Sequence, residues 1–457
     1  MFTDKKKNPG TSFPITILPS EVHSTLSSHM LADGFPIVFD LEKSHGTYVY
    51  DSRANRTLLD YYTFFASGAL GMNHPTLREP AFIEKLGKVA VNKPSNSDAY
   101  TVELAEFVET FSRIAQPPYL PYAFFIDGGT LANENAIKTA FDWKIRKNFK
   151  HGYSREVGTQ VIHFRHAFHG RSGYALSLTN TDPVKINYFP KFSWPRIDNP
   201  ILAFPLTEKR LEVLKNEEAS AIRQIKQAIV DNPDDIAALI IEPIQAEGGD
   251  NFFRKEFFVE LRTICSENDI MLIFDEVQTG VGITGKMWAH EYYVEPDMMT
   301  FGKKMQVCGF VCGKRVDEVA ENVFHVPSRI NSTFGGNLID MVRATKMLEI
   351  IQKENLLENA RVVGSYLLEH LLQLQNEFPS MVSNARGLGL FCAMDLDLKE
   401  RRELLKRKAI EKGLILIGCS ERTIRFRPPL IISKGEIDEG MSIIRNCLKE
   451  MTRERMT

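Results

Sequence analysis

The sequence predicts an α/β fold: a mostly parallel sheet covered on both faces, followed by a smaller α+β unit. Three observations carry that reading. Apolar runs of strand length recur through the first two-thirds of the chain without clean polar alternation. Longer amphipathic segments separate them, as in sheets whose strands are buried on both faces. After about residue 345 the texture changes to long, charged, amphipathic helices that frame short strands.

In chain order the strand-like runs are PYAFFIDGG (121–129), VIHFRHAF (161–168), AALIIEPIQ (237–245), IMLIFDEVQ (270–278) and DMMTFG (297–302). Helical patterns lie between them, such as ANENAIKTAFDWKIRK (132–147) and RKEFFVELRTICSEND (254–269). In the C-terminal part, helical runs over 344–375 and 397–413 surround the short strands LGLFCAMDL, LILIGCS and TIRFRPPL. The expected division is a large unit over 71–344 and a C-terminal small unit over 345–457. Residues 1–70 are expected to contribute to the small unit and to subunit contacts.

Composition narrows the function classes. With 457 residues the chain can bury a large core, and 43% hydrophobic with 25% charged residues is ordinary for a soluble protein. The formal net charge of −2 gives no global attraction to nucleic acid or an anionic membrane. An anionic ligand must then be held by local groups. The N-terminal MFTDKKKNPGTSF has lysines but no apolar stretch behind them, so it does not read as a secretory signal. No apolar run approaches bilayer-spanning length. The six scattered cysteines offer no zinc-ligand spacing and read as free thiols of a cytoplasmic protein.

Polar residues of chemical interest cluster at the carboxyl ends of the strand-like runs, where α/β sheets place their ligands. GGTLANENA (128–136) puts two glycines and Thr130 before a helix. That is either a tight turn with a threonine cap or a backbone cup for phosphate. It lacks the Gly-Lys-Ser/Thr of a nucleotide loop and the spaced glycines of a dinucleotide fingerprint. AFHGRSGY (167–174) offers Phe168 to stack on a flat ring and Arg171 to grip a carboxylate. A core aromatic reads the same way. Asp275 closes the apolar MLIF and is costly there unless a cation or hydrogen-bond donors meet it. A pyridinium nitrogen is one such partner; a core arginine or a metal is another. Asp275 and Glu276 point to opposite faces, which weakens the metal reading. TFGKKMQVCG (300–309) then places two adjacent lysines among apolar neighbours, where burial lowers an amine pKa and favours imine formation. Local chemistry allows either Lys303 or Lys304 to be the nucleophile.

Taken together, a phosphate cup, a ring stacker, an acid and an amine at successive strand ends resemble the class III aminotransferases, which are fold-type I enzymes using pyridoxal 5'-phosphate. The resemblance runs over nearly the whole chain, through FFASGALGMNHP (64–75), IEPIQAEGGD (241–250), FDEVQTG, KKMQVCG, SRINSTFGGN (328–337) and IRFRPPL (424–430). Within the class these segments are most similar to the branch acting on the ε-amine of L-lysine, with 2-oxoglutarate as acceptor. Enzymes of ornithine, acetylornithine or 4-aminobutyrate are the alternative, then a mutase on the same cofactor.

The resemblance implies the following roles. Gly129 and Thr130 bind the cofactor phosphate, and Ser332 and Thr333 of a second subunit complete the cup. Phe168 stacks on the ring, Asp275 protonates its nitrogen, and Gln278 bonds its 3' oxygen. Lys303, directly after Gly302, carries the cofactor as an imine, leaving Lys304 as a structural or surface-paired lysine. Arg171 holds the distal substrate carboxylate, Glu247 and Arg425 form a switchable ion pair, and Phe65 and Ala66 contact substrate. A homodimer with shared active sites is implied. Departures from the class include DGGTLANE, Ala246 where glycine is common, and Ile283 where arginine is frequent; none removes a catalytic group.

Overall fold

The computed structural model describes residues 15–453. The lysine-bearing N-terminal stretch read above lies outside them. Strands β1 (Phe39–His45), β2 (Tyr48–Asp51) and β3 (Arg56–Asp60) form an antiparallel meander near the N-terminus. The large sheet follows: β4 (Tyr122–Ile126), β5 (Gln160–Phe164), β6 (Arg196–Ile197), β7 (Ile236–Ile241), β8 (Met271–Asp275), β9 (Met298–Phe301) and β10 (Cys308–Cys312). Its order is β4-β10-β9-β8-β7-β5-β6. The last five strands are β11 (Val382–Leu388), β12 (Phe391–Leu396), β13 (Leu414–Ile415), β14 (Ile417–Cys419) and β15 (Thr423–Phe426).

All strands of the large sheet run parallel except β10, which lies antiparallel to both neighbours. Residues 302–307 are too few for a parallel crossover, which takes about a dozen, so the chain turns straight back. Strands β7, β8 and β9 are buried at every position, which explains why their sequences show no polar alternation. The helices Gly129–Lys150 and Lys255–Glu267 fall where the sequence places them. Most of the polar residues that close each run lie in the loops at the carboxyl ends of the strands, and Asp275 is the last residue of β8. Strands β1 to β3, β6, β10 and β11 were not foreseen; β6 has only two residues, and β10 follows β9 with no helix between.

The single helical run read over 344–375 is two helices, Leu338–Lys353 and Leu356–Glu377. They break at Asn355, whose φ of 52° is left-handed and closes the first helix. Strands β11, β12, β15 and β14 make an antiparallel sheet, while β13 leaves it to pair in parallel with β3. The C-terminal part is thereby tied to the N-terminal meander. Among the described residues no helix is long and apolar enough to cross a membrane.

The β11–β12 turn also fixes the C-terminal sheet against the loop after β8. Gly389, at φ 57°, approaches the backbone of Ile283 and Thr284, and Leu390 N donates to Ile283 O at 2.8 Å. Gly364, inside the helix Leu356–Glu377, packs on Gly389 so closely that a Cβ would fall within its backbone. An alanine normally stabilises a helix interior by about 1 kcal/mol relative to glycine. Here Gly364→Ala is expected to destabilise the protein by about 1–3 kcal/mol through overpacking, measured by chemical denaturation.

Candidate active site

The loops after β4, β5, β7, β8 and β9 enclose a cavity of about 320 Å³. It is lined by Phe65, Gly129, Thr130, Asn133, Phe168, Arg171, Glu247, Asp275, Gln278 and Lys303, among others. That volume is in the range of small-molecule sites.

Asp275 is 4% exposed, and its carboxylate accepts three hydrogen bonds. Oδ2 accepts from Asn133 Nδ2 and His169 Nδ1, each at 2.8 Å, and Oδ1 accepts from Val277 N at 3.0 Å. Neither a core arginine nor a metal cluster holds it; among the described residues no group of metal-binding side chains is present. Glu276 points the other way, accepting from Ala289 N and His290 N, as alternation along the strand requires.

The helix Gly129–Lys150 begins at the cavity with Gly128 as its N-cap, so no side chain caps its first N–H groups. Those free donors and the helix dipole make an anion site beside Thr130. The loop carrying Phe168 fits against this cup because residue 170 is glycine: at φ 138°, a Cβ there would collide with the Thr130 side chain.

The two lysines separate cleanly. Residues Lys303–Met305 form a 3-10 turn, with Lys303 at a left-handed φ of 48°. Lys303 lines the cavity. Burial lowers its pKa, and the Arg425 charge adds to that, against the pull of Asp275 and Glu247. Lys304 is not surface-paired. It is 3% exposed and points into the protein, donating to Gln278 O at 2.9 Å and Ala66 O at 3.2 Å. Burial and then the Arg427 charge push its pKa well down.

Lys304 thereby braces a strained segment. Thr63, Phe64, Phe65 and Ala66 all have φ between 40° and 67°. A left-handed turn costs roughly 1–2 kcal/mol per non-glycine residue. Asp60 Oδ1 accepts from Tyr62 N and Thr63 N, and Thr63 Oγ1 donates to Arg427 O at 2.6 Å. Burial lifts the Asp60 carboxyl to about 6 despite these donors. The turn brings Phe65 to the cavity, but Ala66 is buried behind it and does not line the space expected for substrate.

Arg425 and Arg427 sit two residues apart on one face of the chain. Arg427 Nη2 donates to Asp250 Oδ1 at 2.5 Å inside the core and has a structural role. Arg425 is fully buried and does not itself line the cavity; Glu247 and Gln278 stand in front of it. Its Nη2 donates to Glu247 Oε2 at 2.7 Å and its Nη1 to Gln278 Oε1 at 3.3 Å. Glu247 is ionised: burial works to raise its carboxyl, but Arg425 and Lys185 outweigh that and hold it at about 2. Arg171 reaches the same cavity from the exposed side and has no acidic partner among the described residues.

Ser332 and Thr333 lie away from this cavity. Ser332 Oγ accepts from Gly335 N, and the two backbone carbonyls accept from Ser97 and Ser95. Asn133, His169, Glu242, Val277 and Cys308 line the cavity without having been singled out from sequence. His169 and Glu242 lay within quoted strand-end stretches, where a buried acid or imidazole beside Asp275 was the available signal. Glu242 accepts from Phe168 N and Ala246 N; burial, then the Asp275 charge, raises its pKa well above normal.

Residues 30–448 match the family described as Aminotransferase class-III, and the chain belongs to that family. Its architecture is the fold-type I arrangement of these enzymes. It is 51% identical to the L-lysine-epsilon aminotransferase of Mycobacterium tuberculosis over 95% of this chain and 96% of that one. It is 47% identical to the L-lysine-epsilon aminotransferase of Streptomyces clavuligerus, with 93% of each chain covered. The structure superposes on the lysine aminotransferase from M. tuberculosis, solved in the internal aldimine form, with a TM-score of 0.93. That match has 51% identity and covers 95% of this chain and 99% of the other.

Replacing Lys304 by Met would leave the Ala66 and Gln278 carbonyls short of a donor. A loss of about 1–3 kcal/mol in unfolding free energy is expected, read as a lowered denaturation midpoint.

Proposed function

We propose that this chain transfers the ε-amino group of L-lysine to 2-oxoglutarate, giving 2-aminoadipate 6-semialdehyde and L-glutamate. The observation that carries the reading is the pair of unequal arginines about one reactive lysine. Arg171 is open at the mouth, while Arg425 is masked by Glu247. The relatives at 46–51% identity, all L-lysine-epsilon aminotransferases, support the same substrate.

The cavity fits pyridoxal 5'-phosphate in each part. The uncapped start of the helix Gly129–Lys150, with Thr130, suits its phosphate. Phe168 offers a ring face, and Asp275 a buried acceptor for a ring N–H. When bound, this cofactor supplies a carbonyl carbon that takes up the amine and a ring that accepts electrons from the substrate carbon. Asp275 keeps the ring nitrogen protonated, with Asn133 and His169 fixing its carboxylate. Gln278 lies within reach of the cavity and is assigned the ring oxygen. Lys303, with its lowered pKa, would hold the cofactor through its amine and, when free, would move a proton at its Nζ. Ser332 and Thr333 of a second copy complete the phosphate site in a homodimer. This agrees with their distance from the cavity of their own chain.

Regiochemistry follows from charge. Lysine presents two amines and one carboxylate. With its α-carboxylate on Arg171 at the mouth, the ε-amine is the one that extends inward, past Phe65. An open Arg425 would draw the α-carboxylate deep and present the α-amine instead. Glu247 cancels that attraction. 2-Oxoglutarate has a second carboxylate, which takes Arg425 when Glu247 gives it up.

Assaying the purified enzyme with lysine, ornithine and 4-aminobutyrate against 2-oxoglutarate tests the assignment. The highest kcat/KM is expected for lysine, with a product that cyclises; a clear preference for either rival amine refutes it. Glu247→Ala is expected to shift product from the semialdehyde toward the α-keto acid of lysine, measured as a product ratio. A ratio equal to wild type would remove the switch.

A further inference from the structure

Glu247 is held from two sides. While Oε2 faces Arg425, Oε1 accepts from Lys185 Nζ at 2.5 Å. Arg425 comes from β15, and Lys185 from the short helix Pro183–Ile186. Lys185 does not itself line the cofactor cavity, though its ammonium lies 5.6 Å from the ring centre of Phe168, which does. It lines a second, polar cavity of about 430 Å³, to which Glu247, Arg402 and Ser420 also contribute. The Glu247 side chain therefore borders both spaces, with one oxygen held by Arg425 and the other by Lys185.

This arrangement answers an energetic difficulty in the two-substrate reading. Turning Arg425 to a substrate carboxylate strips a buried glutamate of its partner. Leaving such a charge unpaired in the interior is strongly unfavourable. With Arg425 in place, it and Lys185 together outweigh burial and hold this carboxyl down; once Arg425 turns away, Lys185 is the cation left to oppose burial. A second cation on the other oxygen removes most of the penalty, and the adjoining polar cavity gives the carboxylate room to turn away.

We propose that Lys185 is a positioning residue that keeps Glu247 paired when Arg425 is given to a substrate carboxylate, and so sets the enzyme's balance between amino donor and dicarboxylate acceptor. The proposal rests on the two-substrate reading above. Lys185 touches neither substrate nor cofactor; it acts through Glu247. Its side chain is 17% exposed on a surface helix, so its charge is replaceable without opening the core.

The test uses the holoenzyme and two variants, Lys185→Met and Lys185→Arg. Glutarate, an unreactive dicarboxylate, is titrated calorimetrically, and the lysine and 2-oxoglutarate half-reactions are timed separately. Lys185→Met is expected to weaken glutarate binding and the 2-oxoglutarate half-reaction about tenfold relative to the lysine half-reaction. Lys185→Arg is expected to recover most of the loss. In a Glu247→Gln background, Lys185→Met should no longer change the ratio, since no charge remains to be held. Equal losses in both half-reactions, an unchanged ratio, or the same loss without the Glu247 charge would each overturn the proposal. If wild-type enzyme turns over a different amine, the substrate reading fails. The effect of Lys185→Met on glutarate affinity still decides the role of Lys185.

Discussion

A carboxylate at the end of a strand buried on every side must be surrounded by donors, and the site is organised around meeting that demand at Asp275. Asn133 reaches it from near the start of the helix Gly129–Lys150, and His169 reaches it from the loop that carries Phe168 and Arg171. Asn133 also donates to His169 O and accepts from Thr300 Oγ1 on β9, the strand that leads to Lys303. One satisfied acid thus fixes four segments against each other. Removing any one donor would leave a buried anion under-solvated, which gives these polar groups little freedom to move.

A second constraint acts at the opposite side of the cavity. Arg425 is fully buried, and a guanidinium in that setting needs an anion. Glu247 supplies it. In the proposed reading this masks Arg425 as a carboxylate site, leaves Arg171 at the mouth available, and makes the discrimination between the two ends of lysine depend on which arginine is free. Phe65, held by the left-handed turn over Lys304, stands 5.4 Å from the Arg425 guanidinium.

Much of this was legible in the sequence. The buried strands β7, β8 and β9 showed themselves by unbroken apolar runs, and their polar ends marked the cavity. Asp275 was conspicuous because a charge after MLIF demands an explanation. Other parts depend on contacts between distant segments and left no local signal. Asn133 and His169 become partners of Asp275 only through folding. Lys304 looked like a surface charge because two adjacent lysines usually are. Its burial follows from a tight turn at Lys303 and from carbonyls some 26 and 238 residues away in sequence. Lys185 lies in a polar stretch with no pattern, and only the turn of its helix toward Glu247 gives it meaning.

The most direct measurement follows one nitrogen. L-Lysine carrying 15N at the ε-amine, and separately at the α-amine, is incubated with the enzyme and 2-oxoglutarate, and the glutamate formed is analysed by mass. Masking of Arg425 by Glu247 requires that label pass to glutamate from the ε-position and not from the α-position. Label arriving from the α-amine would contradict it.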